Sequence, residues 1–194
     1  MNAEAGSVGR HFEELAEVAG AVARDLGGAI ADTAALVVAT LARGNKLMFC
    51  GNGGSAADAQ HLATEYVVRF RSERRPLAAL ALTTDTSLLT AAANDYGFEH
   101  IFARQVRALG VAGDLLFLHS TSGDSRNLIE AARTARDAEV ATVALLARGG
   151  GALRHYVDRA LVVPTDSGAH AQELHLAIGH AICHQAEQWA KQAG

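Results

Sequence analysis

Hydrophobic residues recur along this chain at two spacings, one typical of helices and one typical of short buried strands. Residues 11–26 place Phe12, Leu15, Val18, Ala19, Val22 and Leu26 on one helical face. Residues 29–43 repeat this spacing, and the glycine at position 44 favours a helix C-terminus. Short apolar runs then predict strands at 46–50, 78–82, 114–119, 141–146 and 160–163. Longer periodic segments predict helices near 54–69, 87–93, 99–109, 124–138 and 169–190, with a short helix near 151–155.

Continuous apolar strands separated by helices predict a parallel sheet that is covered by helices on both faces. We therefore expect one domain over residues 1–194: an α/β core at 45–194, built as a three-layer αβα sandwich with a five-stranded parallel sheet, and an N-terminal helical hairpin at 1–44. Ligands of such folds bind at the C-terminal ends of the strands. The hairpin is expected both to complete the domain and to bury apolar surface against another subunit.

Composition and charge exclude several classes of protein. Apolar residues make up 49% of the chain, charged residues 20%, and the net charge is −4, so no broad basic surface for nucleic acid is expected. One basic cluster precedes Pro76 and is interpreted as a solvated helix end: Arg69, Arg71, Arg74 and Arg75.

Cysteine content and hydropathy suggest a compartment. Two lone cysteines, Cys50 and Cys183, indicate a reducing environment instead of a disulfide scaffold. The first residues lack a secretory-signal pattern, and no apolar run approaches the ~20 residues that span a bilayer. A soluble, cytoplasmic protein with no membrane partner is expected.

A glycine-rich turn follows the first predicted strand. Its sequence, Gly51-Asn52-Gly53-Gly54-Ser55, lets backbone N–H groups approach a ligand closely at the start of a helix. A tight strand-to-helix connection explains such a turn equally well. Neither a P-loop nor a dinucleotide fingerprint is completed, because the lysine of the first and the acidic residue of the second are missing.

A second loop, Ser120-Thr121-Ser122-Gly123-Asp124-Ser125, places four hydroxyl groups at the start of another helix. Helix capping needs only one of them. Hydroxyl groups and unpaired helix-start amides suit a phosphate dianion, so we interpret the loop as a phosphate site. Asp124 does not suit a phosphate, so we expect it either to point away from the anion or to be tolerated at a cost.

Histidine and acidic residues on two predicted helices offer acid–base or metal chemistry. His61 and Glu65 are four residues apart and share a helix face. The last helix carries Gln172, Glu173, His175, His180 and His184. His180 and His184 form an easier metal pair than Gln172 and His180, which lie about 12 Å apart along the axis, and spacing does not choose between the pairs. Surface or core packing explains isolated histidines as well.

Asn94 and Asp95 precede Tyr96-Gly97. A turn explains them about as well as a pair of polar groups for sugar hydroxyls does.

Four ordered segments resemble the sugar isomerase (SIS) domain family, which is flavodoxin-like in fold, and within it the phosphoheptose isomerases. The segments are CGNGGSAADAQHLATEY, LTTDTSLLTAAANDYGFEHIFARQV, STSGDS and AQELHLAIGH. The resemblance covers residues ~30–190, nearly the whole chain.

The resemblance implies that sedoheptulose 7-phosphate is converted through an enediol(ate) to D-glycero-D-manno-heptose 7-phosphate, the first step toward nucleotide-activated heptose. It implies Glu65 as the base and His180 as the acid. It implies one zinc ion per subunit, bound by His61, Glu65, Gln172 and His180. It further implies a cytoplasmic homotetramer with active sites between subunits, so that the ligands need not all come from one chain.

The implied substrate contacts are Asn52, Gly53, Gly54, Ser55, Glu65, Asn94, Asp95, Ser120, Thr121, Ser122, Ser125 and Gln172. The chain departs from the family at residues 166–171, where many members carry Asp-Thr and Arg, and at Asp124, where Asn or Lys is usual.

Two alternatives remain. A non-catalytic SIS module would bind a phosphosugar or associate with a replication initiator, but the initiator-binding relatives lack the histidine that matches His180. A plain α/β domain would leave its histidines in the core or in solvent, and the four hydroxyl groups at 120–125 argue against it.

Overall fold

A computed structural model describes the backbone of residues 3–192 and the side chains of residues 8–192. The order of elements is α1 (Ala3–Asp25), α2 (Gly27–Ala42), β1 (Leu47–Gly51), α3 (Gly54–Val67), β2 (Ala79–Ala81), α4 (Thr86–Tyr96), α5 (Ile101–Leu109), β3 (Leu115–Ser120), α6 (Arg126–Asp137), β4 (Ala141–Leu146), β5 (Arg159–Val162) and α7 (Gly168–Gln192). The short helix expected near 151–155 is a single 3₁₀ turn, Leu153–His155.

The five strands form one parallel sheet in the order β2-β1-β3-β4-β5, which is the flavodoxin-like order. Successive side chains of a strand point to opposite faces, and the strands here divide accordingly. Phe49, for example, belongs to the apolar cluster shared with α3 and α7, whereas its neighbour Met48 belongs to the cluster shared with α5 and α6. The expected three-layer αβα sandwich is confirmed.

The two N-terminal helices are present, but they do not fold back on each other. The axes of α1 and α2 are bent by 69° at the break between them, and α2 packs along α7. Val8 and Phe12 on α1 are exposed by 59% and 63%. No single described helix is long and apolar enough to cross a membrane, although α1 and α2 together meet that test as a bent pair.

The interpretation of the basic cluster as solvated is wrong for Arg74, which is 8% exposed. Its guanidinium group donates hydrogen bonds to the carbonyl oxygens of Glu65 (2.6 Å), Arg75 (2.9 Å) and Val68 (3.4 Å). Two of these carbonyls belong to the C-terminal end of α3, where backbone acceptors lack helical partners. Arg74 is therefore a structural cap, a role that a run of arginines does not distinguish from solvation.

Candidate active site

The glycine-rich turn and the hydroxyl loop lie side by side at the C-terminal edge of the sheet. The end of β1 pairs with β3, so that Gly51 lies opposite His119. The chain leaves β1 through Asn52 and Gly53 into α3, and it leaves β3 through residues 121–125 into α6. Parallel strands bring both exits to the same edge, and each exit leads to a helix N-terminus that favours an anion.

A pair of amides connects the two exits. The side chains of Asn52 and Asn127 exchange two hydrogen bonds of 3.0 and 2.8 Å. Asn127 lies in the first turn of α6 and is 2% exposed. Sequence reasoning did not single out Asn127, and the available signal was only an asparagine two residues after the hydroxyl loop. The pair fixes the glycine turn against the start of α6.

The hydroxyl loop is partly self-bonded. Ser120 Oγ accepts a hydrogen bond from Gly123 N at 3.0 Å, and Ser122 Oγ accepts one from Asp124 N at 3.3 Å. Ser125 is the N-cap residue of α6, yet its side chain makes no capping bond. The simple capping explanation therefore does not apply to Ser125, whose hydroxyl group stays available for an anion.

Asp124 turns toward the neighbouring loop, as expected. Its Oδ1 accepts a hydrogen bond of 2.9 Å from the backbone N–H of Ala152. The carboxylate is thereby engaged with the segment after β4.

Histidine and glutamate side chains of α3 and α7 lie close together. His61, Glu65 and His180 each offer a ligand atom, and these atoms lie within 4.8 Å of one another. His61 Nε2 is 2.9 Å from His180 Nε2 and 3.2 Å from Glu65 Oε1. Two ring nitrogens at this distance cannot both donate, so at least one presents a lone pair to the space between them.

His180 lies in a partly apolar environment. Phe70 stacks on its ring, with centroids 5.2 Å apart and planes inclined by 26°. Burial lowers the pKa of His180, and the neighbouring His61 lowers it further. The neutral imidazole is thus favoured, which is the form that binds metals and that accepts a proton.

The segment that carries Phe70 is fixed by a buried carboxylate. Glu187 on α7 is 1% exposed, and its Oε1 accepts hydrogen bonds from the backbone N–H groups of Phe70, Arg71 and Ser72 at 3.3, 2.9 and 3.0 Å. Burial opposes ionisation of Glu187, but these bonds outweigh it and lower the pKa. Sequence reasoning missed Glu187, because an acidic residue near a C-terminus carries no distinguishing pattern.

Gln172 on α7 packs against the N-terminal end of α3, away from the cluster of His61, Glu65 and His180. A Cβ atom built on Gly54 would be 2.5 Å from Gln172 Nε2, so the amide packs against the first residue of α3. Gly54 and His61 are seven residues apart, about 10 Å along the helix axis. Within this chain Gln172 therefore lies beside the glycine turn, while His180 lies beside His61. Of the two pairings left open for His180, His184 or Gln172, the structure selects neither.

Asn94 and Asp95 lie in the last turn of α4, which extends to Tyr96, so the alternative of a simple turn is wrong. Both residues are exposed, and Asn94 Nδ2 donates to Asp95 Oδ1 at 2.9 Å. Asp95 lines a shallow groove between α4 and α5 that also includes Arg104. The pair thus faces outward from the α4–α5 side of the domain.

In the stretch 166–171, Ser167 precedes α7 and its Oγ accepts a hydrogen bond from His170 N at 3.3 Å. The serine in this departure from the family thus caps the helix that carries Gln172 and His180.

Comparisons with known proteins identify the family of this chain. The sequence matches the SIS domain family over residues 10–147. A phosphoheptose isomerase of Roseiflexus sp. (strain RS-1) is 54% identical over 152 residues, which are 78% of this chain and 77% of that protein. A phosphoheptose isomerase of Akkermansia muciniphila is 48% identical over 178 residues, covering 92% of this chain and 90% of that protein.

A solved structure of a phosphoheptose isomerase from Francisella tularensis superimposes with a TM-score of 0.93 at 40% identity, covering 97% of this chain and all of that one. Fold, length and identity agree over nearly the whole chain. This chain belongs to the SIS domain family and, within it, to the phosphoheptose isomerases.

Proposed function

We propose that this protein interconverts sedoheptulose 7-phosphate and D-glycero-D-manno-heptose 7-phosphate, as the first step toward nucleotide-activated heptose. The observation that carries the proposal is the convergence of His61, Glu65 and His180 from two helices. Relatives at 54% and 48% identity that are named phosphoheptose isomerases give the substrate class.

The phosphate of the substrate is assigned to the hydroxyl loop. Its proposed partners are Ser120, Thr121, Ser122 and Ser125, with the N-terminal amides of α6. Asn52, Gly53, Gly54, Ser55 and Gln172 are proposed to hold the sugar, together with Asn94 and Asp95, which reach it from a neighbouring subunit.

The isomerisation moves a proton from C1 to C2 of the ketose. Glu65 removes the C1 proton, the C1=C2 enediol(ate) forms, and the same carboxyl group returns a proton to C2. His180, as a neutral imidazole, donates its one ring N–H proton to the C2 carbonyl oxygen and recovers a proton from the C1 hydroxyl group as the C1 carbonyl forms. Only its other ring nitrogen is then available to a metal ion. Such general acid–base catalysis contributes roughly 10²–10⁴-fold in rate.

The donor set of the cluster fits zinc. Two imidazole nitrogens and a carboxylate oxygen, with one position open, are typical of catalytic zinc sites, and burial keeps His180 in the neutral form that binds metal. We propose that His61, Glu65 and His180 hold one zinc ion per subunit. Gln172 of the same chain packs against Gly54 instead, so Gln172 of a neighbouring subunit is proposed as the fourth ligand. Bound zinc would supply a Lewis acid for the substrate oxygens.

A homotetramer is proposed from the apolar surfaces that the single chain leaves open. A groove of about 690 Å³ runs between α2 and α7 and is lined by Ile30, Val38 and Trp189 among others. Phe12 and Val8 add exposed apolar surface on α1. Apolar patches of this kind mark interfaces between protein surfaces.

The test is direct conversion of substrate. Zinc-loaded protein is incubated with sedoheptulose 7-phosphate, and aldose formation is followed by NMR. Wild-type protein and the exposed control Glu73→Gln should convert the substrate, while His180→Gln should lose at least 100-fold in kcat. A folded, zinc-loaded wild-type protein that binds the sugar phosphate without turnover would instead indicate a non-catalytic SIS module.

A further inference from the structure

A second cluster of metal-ligating side chains lies outside the proposed active site. His11 on α1 and His170 and Glu173 on α7 each offer a ligand atom, and these atoms lie within 4.8 Å of one another. His11 Nδ1 is 3.1 Å from His170 Nε2, and His11 Nε2 is 3.5 Å from Glu173 Oε1. The proposed isomerase reaction uses none of these three groups.

The cluster combines a fixed ligand with accessible ones. His170 is 3% exposed, and its backbone N–H is bonded to the capping hydroxyl group of Ser167. Glu173 follows three residues later and lies on the same helix face. The side chains of His11 and Glu173 are 41% and 44% exposed, so an ion and its water ligand can enter from solvent.

The rings of His11 and His170 approach through their nitrogens. Their centroids are 4.6 Å apart with planes inclined by 54°, which is not a parallel stack. Two imidazole nitrogens and one carboxylate oxygen with room for water match the ligand number and type of an open zinc site. Mg²⁺ and Ca²⁺ prefer oxygen ligands, so a site with two histidines does not suit them.

We propose that His11, His170 and Glu173 form a second transition-metal site, selective for zinc-like ions, that fastens α1 to α7. It is separate from the cluster at His61, because His170 and His180 are ten residues apart, about 15 Å along the helix. An ion that binds only the folded chain stabilises it by mass action. The bound ion would therefore hold the N-terminal helix, α1, against α7.

Zinc stoichiometry of the untagged, full-length protein tests the proposal. The protein is stripped with a chelator and dialysed against buffered zinc, and bound metal is counted by atomic emission. Wild type, His11→Gln, His61→Gln and the double variant are compared. Glu14→Gln, also exposed on α1, is the matched control.

We expect His11→Gln to bind one zinc ion per chain fewer than its parent, in both the wild-type and the His61→Gln background. Glu14→Gln should bind as many ions as wild type. In the His61→Gln background, zinc at about 100 times its Kd should raise Tm by roughly 5 °C or more, and His11→Gln should abolish this rise.

Unchanged stoichiometry in His11→Gln would overturn the proposal. A His61→Gln protein that binds no zinc and whose Tm does not depend on zinc would also overturn it. His11, His170 and Glu173 would then be joined by hydrogen bonds alone. Because the comparison is always with the parent of each variant, it is independent of whether the cluster at His61 binds metal.

Discussion

Replacing His119 with leucine should stabilise the protein, and more so in acid. His119 lies in β3 directly before the hydroxyl loop and is completely buried. Neither of its ring nitrogens has a hydrogen-bond partner among the residues that the structure describes. A buried polar atom without a partner costs about 1–3 kcal/mol, so His119→Leu should raise the free energy of unfolding by about that amount at pH 7.5.

The acid effect follows from the pKa of the ring. Burial, with a smaller contribution from nearby His175, lowers the pKa of His119 from 6.5 to about 3. Between these values the unfolded chain binds a proton that the folded chain does not, so stability falls as pH decreases from 6.5 toward 3. At pH 4.5, two units below 6.5, the loss is about 2.7 kcal/mol at 1.36 kcal/mol per unit. His119→Leu should remove this loss.

The assay is urea unfolding at pH 7.5 and 4.5, followed by fluorescence of the single tryptophan, Trp189, at one protein concentration. The advantage of His119→Leu over wild type should grow by about 2.7 kcal/mol between the two pH values. The pKa of His175 is lowered as well, but that group is present in both proteins and largely cancels. His155→Leu, at an exposed position, is the control. An advantage that grows by less than about 1 kcal/mol, or that the control reproduces, would refute the reasoning.

Three further changes test other parts of the account. Ser122→Ala should remove one hydrogen bond to the phosphate and raise KM by roughly 10- to 150-fold, or about 1.5–3 kcal/mol; unchanged KM would remove this loop from the phosphate site. Gly179→Ala would place a Cβ atom 2.5 Å from Leu62 Cδ2, so it should cost about 1–3 kcal/mol in urea unfolding and reduce kcat, and a fully active variant would contradict the close helix contact. Glu187→Ala should leave three backbone N–H groups unpaired and cost about 3 kcal/mol or more, measured as a lower Tm; a Tm within 1–2 °C of wild type would show that water replaces the carboxylate.

Much of the fold was predictable because a strand that is buried on both faces has a continuous run of apolar residues in the sequence. β1, β3 and β4 read as continuous apolar runs, and each is buried almost throughout. The two glycine- or hydroxyl-rich exits were predictable for the same reason, since each follows directly after such a run. The bend between α1 and α2 was not predictable, because helical periodicity specifies which face is apolar and not how two helices meet.

The grouping of the histidines depended on tertiary packing. Spacing along the last helix did not choose between His184 and Gln172 as the partner of His180, and the structure places His180 against His61 of another helix. The reason is the close contact of α3 with α7 at Gly179, where any side chain would collide with Leu62. Such a contact joins positions more than a hundred residues apart, and no local pattern encodes it. The structural roles of Arg74, Asn127 and Glu187 were missed for the same reason.

The most direct test of the proposed reaction is deuterium incorporation in D₂O, measured by NMR on the sugar phosphates. Zinc-loaded wild-type protein should produce aldose that carries deuterium at C2, and Glu65→Gln should neither convert the ketose nor exchange its C1 proton, while its fold and assembly are retained. Conversion by Glu65→Gln at the wild-type rate would contradict the assignment of the base. A folded wild-type protein that neither converts the ketose nor exchanges its C1 proton would contradict the isomerase.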